Sequence, residues 1–251
     1  MCTVVFLPSG DGGYVLGHNR DESARRSRGL PPRRRRRRDA AFLAPFDPDG
    51  GGSWIGVNDA GLTVCLLNAE ERDPARLPAS PTSRGRIVWS VLDARSVDDL
   101  EARLAPRTAD LREVRAFHLV AVQPGTRGRR ARASRLRWNG LSAYWDDEDR
   151  PALFVSSGYD QGAAERARRR SWQRLLAAPA GPGAVDLARW LTSHEPERGP
   201  LSVCMHRPEA RTVSRTLVEV AGDSAAMRYL DGSPCEPAAP EVRRTLRLRP
   251  R

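Results

Sequence analysis

The chain opens with a short apolar run, Thr3–Leu7, then a Pro-Ser-Gly-Asp-Gly-Gly break at 8–13, then a second β-rich run at Tyr14–Gly17. Two such runs around turn residues predict a hairpin. Its second strand leads into a polar cluster, Asn19-Arg20-Asp21-Glu22. Residues 23–50 are low in hydrophobicity and carry six consecutive arginines, Arg33–Arg38, so they read as a loop or a partly disordered insertion. A second hairpin follows, with Ser53–Val57 and Leu62–Leu67 flanking the turn Asn58-Asp59-Ala60-Gly61.

The period then changes. Ile87, Val91 and Leu92 recur at helical spacing, and Ser96-Val97-Asp98-Asp99 reads as a helix N-cap with acidic residues in the first turn, leading to Leu100 and Leu104. Phe117–Val122 is a strand, and Asn139-Gly140 between Leu136–Trp138 and Leu141–Trp145 is the strongest hairpin signal in the chain. Ala152–Val155 is a further strand. Over Asp160–Ala178, Ala164, Ala167, Ser171, Leu175 and Leu176 fall on one side and arginines on the other, which predicts an amphipathic helix. Val185–Leu191 is another helix, and Leu201–Met205, Thr212–Val220 and Ala226–Leu230 are strands. The order strands, helices, strands, helices, strands, with hairpins dominant, predicts an α+β fold of two mostly antiparallel sheets packed face to face with helices outside. The domain is expected to span 1–236, with a flexible basic tail at 237–251.

Composition narrows the chemistry. Of 251 residues, 42 are basic and 31 acidic, a net charge of +11, and every basic residue is arginine. Without lysine there is no Schiff-base or pyridoxal-phosphate enzyme, no Walker phosphate loop and no Ser-Lys hydrolase. Such uniform arginine usage is a compositional bias, so the Arg33–Arg38 run is not by itself a phosphate-recognition signal. The run is suited to nucleic acid or an anionic membrane. Phe42 and Phe46 are its nearest aromatics and form no stacking platform, so the expectation is a solvated segment and no specific nucleic-acid partner. Cys2, Cys65, Cys204 and Cys235 show neither C-x-x-C nor zinc-type spacing, so no metal site is expected. No apolar run is long enough for a membrane span and no leader pattern is present, which leads to the expectation of a cytoplasmic protein with reduced thiols.

Cys2 has two readings. It is either a small apolar residue that packs in the core, or a nucleophile. Aminopeptidases remove an initiator methionine that precedes a small residue, and the freed α-amine, with a pKa of about 8, is a base carried by the same residue as the thiol. Asn19–Glu22 ends the strand paired with Cys2. An acid there can hold the charged amine, and an arginine there can stabilise a thiolate. Arg20 and Asp21 face opposite ways on a regular strand, so both reach Cys2 only if the chain bends. Four polar residues at a strand end are otherwise a surface salt-bridge cluster.

Met1-Cys2-Thr3 followed by Asn19-Arg20-Asp21-Glu22 resembles the NRDE family, also called the transport and Golgi organisation protein family. Gly51-Gly52-Ser53-Trp54-Ile55-Gly56-Val57-Asn58 with Gly61-Leu62, then Leu66-Leu67-Asn68 and Ser83-Arg84-Gly85, support the resemblance. Ser202-Val203-Cys204-Met205-His206-Arg207 with Ala210–Ser214 is similar to a bacterial branch. The resemblance implies an N-terminal-nucleophile (Ntn) hydrolase-like αββα sandwich, distantly related to cysteine amidases that act on non-peptide C–N bonds. It implies Cys2 as nucleophile, Asp21 as partner of the α-amine, Arg20 beside them, and Asn68 as an oxyanion donor. Those amidases carry an arginine where this chain has His18, and an asparagine where it has Ser156-Ser157-Gly158. The resemblance also implies an alternative, a non-catalytic carrier or chaperone for haem or an acyl-coenzyme A. Cys204 and His206, on one face if their segment is a strand, are the haem-ligand candidates there, or else a buried thiol beside a core histidine. Under the hydrolase reading no cofactor is needed and the partner is a small-molecule substrate.

Overall fold

Alternation of apolar and polar residues builds two seven-stranded sheets. The computed structural model describes residues 2–71, 73, 80–105, 111–126, 128–179 and 181–250. In the first sheet, β1 (Cys2–Pro8) and β2 (Tyr14–Ser23) form the N-terminal hairpin, with Cys2 opposite Arg20 and Pro8 opposite Tyr14. β10 (Ala152–Ser156) pairs with the outer edge of β1, and β11 (Ala210–Ala221) with β2. β12 (Ser224–Ser233) follows, bordered by β13 (Glu236–Pro237) and β14 (Val242–Arg247). The second sheet runs in chain order through β3 (Leu30–Arg37), β4 (Ala40–Phe46), β5 (Ile55–Asn58), β6 (Thr63–Asn68), β7 (Phe117–Gln123), β8 (Arg132–Trp138) and β9 (Ala143–Glu148). Each of these ladders is antiparallel.

Inward-facing residues of both sheets, among them Val4, Phe6, Leu16, Val57, Cys65 and Leu67, fill the space between them. Helices α1 (Gly85–Val91) and α2 (Val97–Leu104) cover the outer face of the second sheet through Val88, Val91 and Leu100. Helices α3 (Gln161–Leu176) and α4 (Ala184–Trp190) cover the first through Ala164, Trp172 and Leu187. This is the expected αββα sandwich. The Ser96 hydroxyl accepts from the Asp99 N–H, as the N-cap pattern predicts. Among the described residues no helix is long and apolar enough to cross a membrane.

Four expectations need correction. The segment 23–50 is not a loop: Leu30–Arg37 and Ala40–Phe46 pair as edge hairpin β3–β4, with the arginines on the edge strand. A charged edge strand resists pairing with a second chain, and the Arg35 guanidinium lies 5.3 Å from the Trp89 ring centre and 5.6 Å from that of Phe46. The expected tail contains a strand: β14 pairs with β12, and Leu246 and Leu248 are buried. Leu201–Met205 forms no strand; its backbone is held by single bonds to neighbouring loops, such as Cys204 N–H to the Ser193 carbonyl at 2.9 Å. Finally, Arg168 does not join the solvent-facing arginines of α3 but is 1% exposed.

Candidate functional site

Every residue of Asn19–Glu22 has a separate task, set by strand alternation. Asn19 faces the helices and its Nδ2 donates to the carbonyls of Leu191, at 2.8 Å, and Val203, at 3.0 Å. Arg20 faces the other sheet, directly across from Cys2. Its guanidinium lies 4.2 Å from the centre of the Trp54 ring and donates to Asp47 Oδ2 at 3.1 Å. Asp21 faces the helices again, where its Oδ1 accepts from Thr212 Oγ1 at 2.6 Å and its Oδ2 lies 3.7 Å from Arg168 Nη1. Glu22 sits at the rim beside Arg20 and Arg26. Extending the β1–β2 register one step past Cys2↔Arg20 sets Asp21 beside the N-terminal side of Cys2. β2 runs regularly here, so the Arg20 and Asp21 side chains leave opposite faces of the sheet. The irregularity lies in β11, where a bulge between Thr212 and Ser214 stands opposite Asp21 and Arg20, as bulges beside sites often do.

Cys2, Arg20, Asp21 and Asn68 line one cleft of about 280 Å³ between the sheet ends. Asn68 enters as the last residue of β6. The motif stretches around Gly52 and Gly85 meet at its wall: Ser53 N–H donates to the Gly85 carbonyl at 3.1 Å, and a Cβ on Gly52 would fall 2.3 Å from the Gly85 carbonyl carbon. Only glycine permits that backbone approach. Asp47 anchors the same wall by accepting from Arg26 Nη2 at 2.7 Å and from the Asp49 and Gly50 N–H groups at 3.2 Å.

Burial dominates the electrostatics. It pushes the Cys2 thiol up, and the Asp21 carboxylate adds to this, while the Asp21 backbone N–H and the Arg20 charge pull it down. Burial likewise pushes Asp21 up, against the pull of Arg168 and the Thr212 hydroxyl. His18, two residues before Arg20, is fully buried with neither ring nitrogen bonded among the described residues. Burial and the nearby Arg20 charge depress it to about 3, so it is neutral.

Two residues here had no role assigned from the sequence: Arg168, and Ser156, which stands where the amidases carry an asparagine. Arg168 brings its guanidinium from α3 to Asp21 and also donates to Thr3 Oγ1 at 2.7 Å and, through Nε, to the Leu201 carbonyl at 3.3 Å. An arginine at a helix position flanked by Ala164 and Ser171 was the available signal. Ser156 ends β10 opposite Cys2, and its Oγ accepts from the Cys2 backbone nitrogen at 3.0 Å. Asn68 and Arg84 also border a second, wider groove of about 980 Å³ that includes Trp138, Tyr144, Val155 and Tyr159.

Residues 1–139 match the family described as Transport and Golgi organisation 2. Among solved structures, a Caenorhabditis elegans ortholog of N-acylethanolamine-hydrolyzing acid amidase aligns with a TM-score of 0.60 and 9% identity, covering 95% of this chain and 94% of that one. A mutant of the conjugated bile acid hydrolase from Clostridium perfringens aligns with a TM-score of 0.53 and 10% identity, covering 99% of this chain and 97% of that one. These likenesses establish the Ntn-hydrolase fold. No curated protein matches the chain.

Proposed function

The chain belongs to the Transport and Golgi organisation 2 family, and from that premise we propose that it is an N-terminal-cysteine amide hydrolase acting on a small, non-peptide amide. The observation that carries the reading is the gathering of Cys2, Arg20, Asp21 and Asn68 at one cleft, with Cys2 at the free end of β1. With Met1 removed, the Cys2 nitrogen becomes an amine beside the Ser156 hydroxyl and one register step from Asp21. That amine takes the thiol proton as sulfur attacks the carbonyl carbon, then delivers it to the leaving nitrogen. Water hydrolyses the resulting thioester with the same amine as base. Asn68 donates to the oxyanion, Asp21 orients the amine, and Arg20 stabilises the thiolate. The wider groove, with Trp138, Tyr144 and Tyr159, suits the apolar part of an acyl amide. The structural relatives, named for N-acylethanolamine and conjugated bile acid hydrolysis, support that substrate class by analogy of fold.

The test is intact mass followed by labelling with an electrophilic amide probe. Loss of Met1, covalent labelling, and labelling abolished in Cys2→Ala are expected. A retained Met1, or unchanged labelling in Cys2→Ala, overturns the proposal. A carrier for haem or an acyl-coenzyme A is the second reading, favoured by a thiol that burial pushes up and not down. It requires a Soret shift on haem titration, or saturable acyl-coenzyme A binding, that Cys2→Ala leaves intact.

A further inference from the structure

His194, Cys204, His206 and Cys235 come from three places in the chain. His194 follows α4, Cys204 and His206 precede β11, and Cys235 lies in the turn between β12 and β13. Their side-chain donor atoms all lie within 4.8 Å of one another. The two Nε2 atoms are 3.2 Å apart and the two Sγ atoms 3.5 Å. Cys204 Sγ and Cys235 Sγ lie 3.5 and 3.3 Å from His206 Nε2.

These lengths describe a particular solid. A tetrahedral zinc ion, with bonds of about 2.3 Å to sulfur and about 2.05 Å to nitrogen, spaces its ligands about 3.8 Å (S to S), about 3.6 Å (S to N) and about 3.3 Å (N to N). Four of the six edges agree with that tetrahedron to within about 0.3 Å, and the two from His194 to the sulfurs lie within 4.8 Å. Hydrogen bonding alone explains the cluster poorly. His206 Nε2 faces three other donor atoms, and a neutral imidazole nitrogen offers one proton or one lone pair. Two thiolates and two imidazoles instead neutralise a divalent ion, and an N₂S₂ set selects a metal of zinc's softness. Both cysteines are free thiols.

We propose that His194, Cys204, His206 and Cys235 form a structural zinc site. All four positions of the tetrahedron are protein side chains, the closed arrangement of structural zinc, so the ion works through shape. It ties the 191–209 connection to the β12–β13 turn. One link from that connection to the cleft is a pair of hydrogen bonds: Met205 N–H donates to Thr212 Oγ1 at 2.8 Å, and Thr212 Oγ1 donates to Asp21 Oδ1 at 2.6 Å. The ion thus positions Asp21 from behind, whether or not Cys2 is a nucleophile. Arg198, paired with Glu236 at 2.8 Å, borders the exposed side.

Elemental analysis of the full chain, purified in reducing buffer without chelator, is the test. One zinc per chain is expected, with cobalt(II) exchange producing the visible bands of a tetrahedral thiolate complex. Cys204→Ser and Cys235→Ser should each lower bound zinc at least tenfold, and Cys65→Ser should leave it unchanged. Should Cys204→Ser fail to fold, alkylation of the native protein reads the same site: Cys204 and Cys235 become reactive together only after chelation. Metal-free protein that takes up no cobalt, zinc undiminished in Cys235→Ser, alkylation indifferent to chelator, or a Cys204–Cys235 disulfide in the freshly isolated chain would each overturn the proposal.

Discussion

The Cys2 cleft and the His194–Cys235 cluster are both built at loop ends of the first sheet, yet they are assembled in opposite ways. The cleft draws three of its four key residues from one hairpin, with Cys2 and Arg20 paired directly across two adjacent strands, and takes Asn68 from β6. The cluster draws four residues from three segments that pair with none of one another in a ladder. The cleft is also charged throughout. Arg20 lies against Asp47 and Glu22, and Asp21 against Arg168. The cluster holds only neutral or soft donors, and its nearest ion pair, Arg198–Glu236, lies at the surface. Strand register sets Cys2 against Arg20, while the charge partners Asp47 and Arg168 arrive from the end of β4 and from α3. Soft donors facing one another make only weak hydrogen bonds among themselves, and a shared cation would satisfy all four at once.

The two regions are separable by mutation, and the largest effect does so directly. Cys2→Ala should lower amide turnover at least about 10³-fold while bound zinc stays constant. Cys235→Ser should do the reverse to the metal and leave Cys2 able to react with the probe. Loss of both properties in both variants would mean a single cooperative unit.

Next in size is Arg168→Ala. It strands the buried Asp21 carboxylate, which costs about 3–5 kcal/mol by analogy with broken buried pairs, measured by urea titration. A loss below about 1 kcal/mol would show that the 3.7 Å Arg168–Asp21 pair does not support the cleft.

Thr212→Val cuts one link between the regions. The Asp21 Oδ1 and Met205 N–H bonds both end on that hydroxyl, so a cost of about 1–3 kcal/mol is expected. Turnover should fall with zinc content unchanged. Unchanged turnover would show that the Thr212 link carries no communication between the two regions.

The smallest effect is the pH response. His18 and His118 are depressed to about 3 and about 4, both chiefly by burial. Between those values and the unfolded value of about 6.5 the unfolded chain binds more protons, so stability is full above pH ~6.5 and falls as pH drops through that range. One unit below the unfolded value, each histidine costs about 1.4 kcal/mol. Thermal melts of His18→Gln, whose amide stays neutral, should be less acid-sensitive than wild type. An unchanged acid limb would remove His18 from the account.

Much was legible in advance. The hairpins, the Ser96 cap and the αββα order follow from periods of two and 3.6 and from turn residues, because those signals act between neighbours in the chain. Cys2, Arg20 and Asp21 were legible for the same reason: one hairpin register relates them. The β3–β4 edge and β14 were not. Arginine-rich stretches resemble solvated loops until a neighbouring strand supplies their hydrogen bonds, and Leu246 and Leu248 show their alternation only against β12.

By itself, then, the sequence determined the sandwich, the absence of lysine chemistry, and a hairpin, Thr3–Leu7 with Tyr14–Gly17, whose second strand leads Asn19–Glu22 up beside Cys2. The tertiary structure alone decided that Arg168 turns inward to Asp21, that Ser156 meets the Cys2 nitrogen, and that His194, Cys204, His206 and Cys235 converge. The reason is distance along the chain. Arg168 lies 165 residues from Thr3 and Ser156 lies 154 from Cys2. No local periodicity spans such separations, and only closure of the sheets brings those atoms together.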